Sequence, residues 1–172
     1  MIKRIAIIGP ESTGKSELAQ QLARKYETEW VPEFARFYLD RLGRPYEKHD
    51  LLEIAKGQIA WENQKAESAN DFLFCDTNLI VLKVWSDHSF GSTDSFIEQK
   101  LSEMNYDFYL LANIDLPGRD DPQREHPHKR DYFLDVYTKY LEDHQLPFAL
   151  ISGIEEARTQ CALQSLKDFF SE

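Results

Sequence analysis

The residues Gly9-Pro10-Glu11-Ser12-Thr13-Gly14-Lys15-Ser16 match the pattern G-x-x-x-x-G-K-[ST]. That spacing builds a loop whose backbone N–H groups converge on a phosphate. Gly9 and Gly14 permit backbone angles and a close approach that a Cβ would forbid. A helix beginning near Lys15 adds the positive end of its dipole. The Lys15 ammonium is placed to reach β- and γ-phosphates, and the Ser16 hydroxyl to ligate Mg²⁺. Gly9, Glu11, Ser12, Thr13, Gly14, Lys15, Ser16 and Glu17 are therefore expected to bind ATP.

Three further groups carry chemistry. Asp76 ends an apolar run, where a carboxylate can hold Mg²⁺ through water or accept the proton of a substrate hydroxyl. A carboxylate there can also cap the next helix. Thr77 and Asn78 follow it, within reach of metal-bound water or substrate. Glu33 and Arg36 lie one helical turn apart and share a helix face. The carboxylate can orient or deprotonate a hydroxyl, and the guanidinium can hold a phosphate or ribose oxygen; the bland alternative is an i,i+3 surface pair. Residues 115–130 form a non-periodic segment with three prolines and four cationic side chains. A connection of this length often serves as a lid. Arg119 and Arg124 could then close over ATP and stabilise the transferring phosphoryl group, unless they only pair with neighbouring charges.

The elements that must position these groups alternate. Ile2 to Ile8 is a short apolar run rich in β-branched residues, as a buried parallel strand requires. Leu18, Leu22 and Tyr26 then recur at helical spacing. A short strand at Glu29–Pro32 precedes a helix from Glu33 to Leu42, stopped by Gly43 and Pro45. His49 to Asn70 reads as a long helix, Phe72 to Asp76 as the third strand, and Asn78 to His88 as a helix. Thr93 to Met104 is helical, with Thr93 or Asp94 near its cap. Asp107 to Asn113 is the fourth strand, Arg130 to His144 a helix, Phe148 to Ser152 the fifth strand and Glu155 to Phe170 a closing helix. This alternation predicts an α/β fold: a five-stranded parallel sheet with helices on both faces and ligands at the carboxyl ends of the strands.

Bulk properties narrow the class. A chain of 172 residues is expected to be one domain, with the lid at about 115–130. A net charge of −10 argues against a nucleic-acid partner. There is no apolar run long enough to span a membrane and no signal-peptide pattern at the N-terminus. Cys75 and Cys161 are isolated and read as buried thiols rather than a disulfide, so the cytoplasm is expected. The five histidines have no zinc-ligand spacing and read as loop or surface positions. Trp61, Trp85, Phe34 and Phe90 can stack on a planar base, although each is more often a core residue.

Among phosphate-loop proteins, a GTPase needs an Asn/Thr-Lys-x-Asp motif that this chain lacks. A large motor or AAA-type ATPase is expected to need more chain. A small nucleoside or nucleotide kinase fits best. The residues also resemble the NadR-type ribosylnicotinamide kinases over nearly the whole chain. The resemblance runs through Gly9–Ser16, Glu33-Phe34-Ala35-Arg36, Ala55-Lys56-Gly57-Gln58 leading into Trp61, Cys75-Asp76-Thr77-Asn78 and Asp120-Asp121-Pro122-Gln123-Arg124. It implies ATP-dependent phosphorylation of the 5′-hydroxyl of nicotinamide riboside, giving nicotinamide mononucleotide. It places Asp76 as the catalytic carboxylate near Mg²⁺, and Arg36 and Trp61 in the acceptor pocket.

The expected acceptor-binding set is Glu33, Arg36, Trp61, Asp76 and Asn78. The expected catalytic set is Lys15, Asp76 and Arg124, with Ser16 and Asp76 toward the metal and Arg119 toward ATP. Either Asp76 or Glu33 can be the base, and either lid arginine can be the catalytic one. Two positions depart from the family. Pro32 stands where some members carry an aromatic before Glu-x-x-Arg, and Gly118 where many carry a lid Trp. The identity of the base is therefore open. No His-x-Gly-His motif is present, so the adenylyltransferase activity fused to this kinase in some relatives is not expected. Kinases for another nucleoside or small nucleotide, and an ATP-sensing module without turnover, are the alternatives.

Overall fold

The computed structural model describes residues 1–118 and 121–171. Five strands, β1 (Lys3–Ile8), β2 (Glu29–Val31), β3 (Phe72–Asp76), β4 (Phe108–Ala112) and β5 (Phe148–Ile151), form one sheet in the order β2-β3-β1-β4-β5. Every pairing is parallel. Around it lie α1 (Lys15–Lys25), α2 (Phe34–Leu42), α3 (Lys48–Ala66), α4 (Leu79–Phe90), α5 (Ser95–Glu103), α6 (Arg130–Asp143) and α7 (Glu156–Phe170). A single 3₁₀ turn, Pro127–Lys129, leads into α6.

Alternation along the strands builds a two-sided core. Ile5 and Ile7 of β1, with Phe74 and Leu110, pack against Leu18 and Leu22 of α1 and Ala162 and Leu166 of α7. Ala6 and Ile8, with Leu73, Cys75 and Leu111, face Ile80 and Val84 of α4 and Phe133, Tyr137 and Leu141 of α6. A third cluster joins α2, α3, α4 and α5 through Ala35, Leu51, Ile54, Leu82 and Ile97. The chain leaves β1 on the α1 side and leaves β3 on the α4 side. The carboxyl ends of β1 and β3 therefore flank a crevice between two layers, where ligands of open α/β sheets bind.

The expected fold class is the one observed, and the helix boundaries agree to within two residues except at the end of α3. α3 ends at Ala66 rather than running to Asn70. The N–H groups of Glu67 and Ser68 turn back to Gln64 and Lys65, and Asp71 takes φ 53° to enter β3. The polar residues there carry no breaker that the sequence pattern could register. α1 starts at Lys15, as the loop motif implies, because Gly14 in the left-handed region (φ 73°) releases the loop directly into the helix.

Candidate active site

The phosphate loop spans the step from β1 to α1. Gly9 has φ 146°, and a Cβ there would lie 2.8 Å from the carbonyl oxygen of Ala112, so the loop starts hard against the end of β4. Thr13 turns its hydroxyl inward to the Pro10 carbonyl at 2.7 Å. The Lys15 ammonium donates to the carbonyls of Pro10 (2.8 Å) and Gly9 (3.1 Å). Burial pushes its pKa down, while the charges of Glu33 and Asp76 push it back up. Ser12 holds a positive φ of 55°. Glu17 bonds Gln21 on the exposed side of α1.

Asp76 closes β3 and is 1% exposed. Ser16 donates its hydroxyl to Asp76 Oδ2, and among the described residues Oδ1 has no hydrogen-bond partner. Burial first, and the Glu33 charge second, raise the Asp76 pKa well above the ordinary carboxylate range. The next residue, Thr77, holds φ 67° without being glycine, the kind of local strain that collects at functional sites. Asn78 caps α4 by accepting the Ile80 N–H at 3.0 Å, and its buried Nδ2 has no partner among the described residues. The side chain expected to contact substrate is thus engaged through its oxygen in starting a helix.

Two cavities meet over this loop. One, of about 570 Å³, runs over Thr13 to Glu17 and is bounded by Asp76, Leu116, Pro117, Ile154 and Arg158. The other, of about 110 Å³, lies between α2, α4 and α6 and is walled by Val81, Trp85, His88, His126 and Tyr137. Lys15, Glu33, Arg36 and Arg124 line both. Glu33 and Arg36 therefore reach the crevice, as their spacing predicts. They do not pair with each other: Arg36 bonds Asp121 of the lid at 2.8 Å, and Arg124 Nε lies 3.2 Å from the same carboxylate. These contacts hold the Asp121 carboxyl below its ordinary range, the Arg36 bond foremost. Arg119 lies outside the described residues.

Trp61, expected in the acceptor pocket, is in neither cavity wall. Its ring meets Phe34 edge-on at 4.7 Å and Phe37 at 5.3 Å, beside the core. Trp85 lines the cavity instead. It belongs to a stripe on α4, Val81, Val84, Trp85 and His88, whose helical spacing was visible in the sequence. His126 lies in a loop, as read from the sequence, whereas His88 lies on α4 and is half-buried. His88 and His126 pack edge-on at 4.7 Å in the cavity wall, against Phe133. Arg158 of α7 gave no sequence signal. It is 4% exposed and donates to Thr13 O, Asn113 O, Gly153 O and Asp115, fixing the phosphate loop to the ends of β4 and β5.

Sheet order, phosphate loop and lid define a P-loop protein of the nucleoside/nucleotide-kinase-like fold. The family AAA_28, described as "AAA domain", matches residues 4–158, and the chain belongs to that family. The trifunctional NAD biosynthesis/regulator protein NadR of Escherichia coli (strain K12) is 25% identical over 158 residues, which is 87% of this chain and 38% of that protein. Crystal structures of NadR, one with NAD and AMP-PNP and one with NR, superpose with a TM-score of 0.82 at 20% and 18% identity. They cover 99% of this chain, and 50% and 51% of theirs. A deoxyadenosine kinase from M. mycoides gives a TM-score of 0.61 at 14% identity, covering 95% of this chain and 97% of that one. The resemblance to NadR read from the sequence holds. The chain spans less than half the length of the curated relative it matches.

Proposed function

We propose that this chain transfers the γ-phosphoryl group of ATP to the 5′-hydroxyl of a nucleoside, with nicotinamide riboside as the acceptor. The observation that carries this reading is the shared wall of the two cavities. A donor in the larger and an acceptor in the smaller would meet at Lys15, Glu33, Arg36 and Arg124, above Asp76. In-line transfer needs that juxtaposition and little else from the protein beyond positioning and charge. The NadR structures with AMP-PNP and NR support the choice of partners.

In this reading the loop amides and Lys15 hold the β- and γ-phosphates. Asp76 accepts the hydroxyl proton, its carboxylate standing at the end of β3 beside Ser16. Glu33, close enough to perturb Asp76, orients the hydroxyl. Arg124 stabilises charge on the transferring group, and the lid at about 115–130 excludes water that would otherwise hydrolyse ATP. The Ser16 hydroxyl and Asp76 Oδ1, unpartnered among the described residues, offer hard oxygen donors that fit Mg²⁺. When bound, Mg²⁺ neutralises phosphate charge. We read the chain as one kinase unit acting in the cytoplasm. Among the described residues no helix is long and apolar enough to cross a membrane.

The test is ADP release by the purified protein with Mg-ATP, with nicotinamide riboside and with a panel of ordinary nucleosides. Stimulation by nicotinamide riboside alone supports the proposal. Stimulation by another nucleoside keeps the chemistry and replaces the acceptor. A second reading, an ATP-binding regulatory module, draws on the relatives' description as regulators. It predicts tight ATP binding, no acceptor stimulation, and an Asp76→Asn variant that keeps its output. In a kinase that variant binds ATP and loses turnover.

A further inference from the structure

Glu11 stands in a loop whose task is to attract phosphate, where a carboxylate opposes the ligand. It lines the smaller cavity and not the wall of the cleft over the loop. Its two carboxylate oxygens are divided between consecutive backbone amides of the lid. Oε1 accepts the N–H of Glu125 at 3.1 Å, and Oε2 accepts the N–H of His126 at 3.3 Å. The Glu125 carboxylate in turn accepts the Tyr46 hydroxyl at 2.7 Å, and the Tyr46 oxygen accepts the Trp85 indole N–H at 2.9 Å. Glu125, His126 and Trp85 all line the smaller cavity.

We propose that Glu11 is a positioning residue that clamps the lid onto the phosphate loop and so builds the acceptor side of the site. A carboxylate fixed by two successive N–H groups is a charge-assisted, directional contact. It sets where the side chains of residues 125 and 126 stand, and the Tyr46–Trp85 link carries the placement across to α4. The loop that grips the donor thereby also shapes the acceptor wall, and closure of that wall keeps water from the phosphoryl group. Glu11 acts electrostatically on Lys15 as well, which places the clamp beside the group that meets the phosphates.

Two measurements on the full chain test this, and only the second rests on the kinase reading. The first is amide hydrogen exchange in nucleotide-free protein. Glu11→Gln keeps the shape of the side chain and removes the charge. The amides of Glu125 and His126 should then exchange about tenfold faster or more, with α3 unchanged. Unchanged rates at both amides would overturn the clamp. The second is steady-state kinetics with Mg-ATP and nicotinamide riboside. Glu11→Gln should raise the acceptor KM and the share of ADP released without product, with the Mg-ATP KM shifted by no more than about twofold. Tyr46→Phe, which leaves the loop untouched, should raise the acceptor KM alone. A rise confined to the Mg-ATP KM would assign Glu11 to the nucleotide site and defeat the proposal. If nicotinamide riboside is not turned over, the acceptor reading fails and the exchange result alone judges the clamp.

Discussion

The ring of Phe34 fills the space that a β-carbon on residue 57 would need. A Cβ on Gly57 would lie 2.1 Å from Phe34 Cε1 and 2.2 Å from Cζ. Next to it, Gln58 accepts the Phe34 backbone N–H at 3.0 Å, and the residue before Phe34, Glu33, makes no side-chain cap of its own for α2. The start of α2 is thus seated on α3 by a bare Cα and a glutamine. That seat fixes Glu33 and Arg36, which face both cavities.

Gly57→Ala should therefore destabilise the protein although alanine is the better helix former. Propensity favours alanine by about 1 kcal/mol, whereas forcing the ring out of its seat costs about 1–3 kcal/mol. A net loss in urea denaturation, partly restored by Phe34→Leu in the same chain, is the expected pattern. A more stable single variant would show that α2 slides at no cost.

Gly9→Ala should weaken nucleotide binding and leave the fold intact. The new methyl meets the Ala112 carbonyl, and φ 146° is strained for any L side chain. The loop must shift to relieve both, so affinity for an ATP analogue in calorimetry should fall more than about tenfold, given strain of 1–3 kcal/mol. Circular dichroism of the variant should match the parent.

Arg158→Met should cost about 3–5 kcal/mol, the usual effect of removing one partner from a buried charge network. Asp115 and three carbonyls lose their donor, and the Thr13 carbonyl is released from the end of the sheet. Arg158→Lys should restore little, because an ammonium cannot span the fork of acceptors. Denaturation and ATP affinity should fall together in both variants. A loss of stability without a loss of affinity would separate this arginine from the loop.

Asp50 accounts for part of the acid sensitivity of the fold. Its side chain is fully buried and accepts from Arg44, Tyr38 and the Glu47 N–H. The Arg44 bonds foremost, then the Glu47 amide and the Tyr38 hydroxyl, hold its pKa far below the ordinary value of 3.8. A depressed carboxylate stabilises the folded state fully above its unfolded pKa. The contribution fades as pH falls from about 4 toward the folded-state value. Asp50→Asn should lower stability at pH 7 and flatten its decline below pH 4, as read from thermal melts across that range.

What the sequence made legible follows from how local each signal is. Strand runs such as Ile5 to Ile8 are bounded by turn chemistry, and the loop motif from Gly9 to Ser16 states its own geometry. Glu33 and Arg36 share a face that lines both cavities, and one helical turn in the sequence fixes that face. The partner of Arg36 was not legible, because Asp121 arrives from another part of the chain. Arg158 sits inside a helix with nothing local to mark it, and His126 lies in a segment without period. An apolar side chain on α4 looks the same in sequence whether it faces the core, as Ile80 does, or a cavity, as Trp85 does.

Trp85 and Trp61 turn that last ambiguity into a measurement. Trp85 lines the smaller cavity and donates its indole N–H to Tyr46. Trp61 packs edge-on against Phe34 on the far side of α2. Trp85→Leu should raise the acceptor KM about tenfold, as expected for a lost aromatic wall and its hydrogen bond, while the Mg-ATP KM stays near its parent value. Trp61→Leu should lower stability by about 1–3 kcal/mol through lost packing and leave both KM values close to the parent. The opposite pattern, an acceptor defect only in the Trp61 variant, would mean that α2 swings to bring Trp61 into the pocket. It would restore the placement that the family resemblance implied.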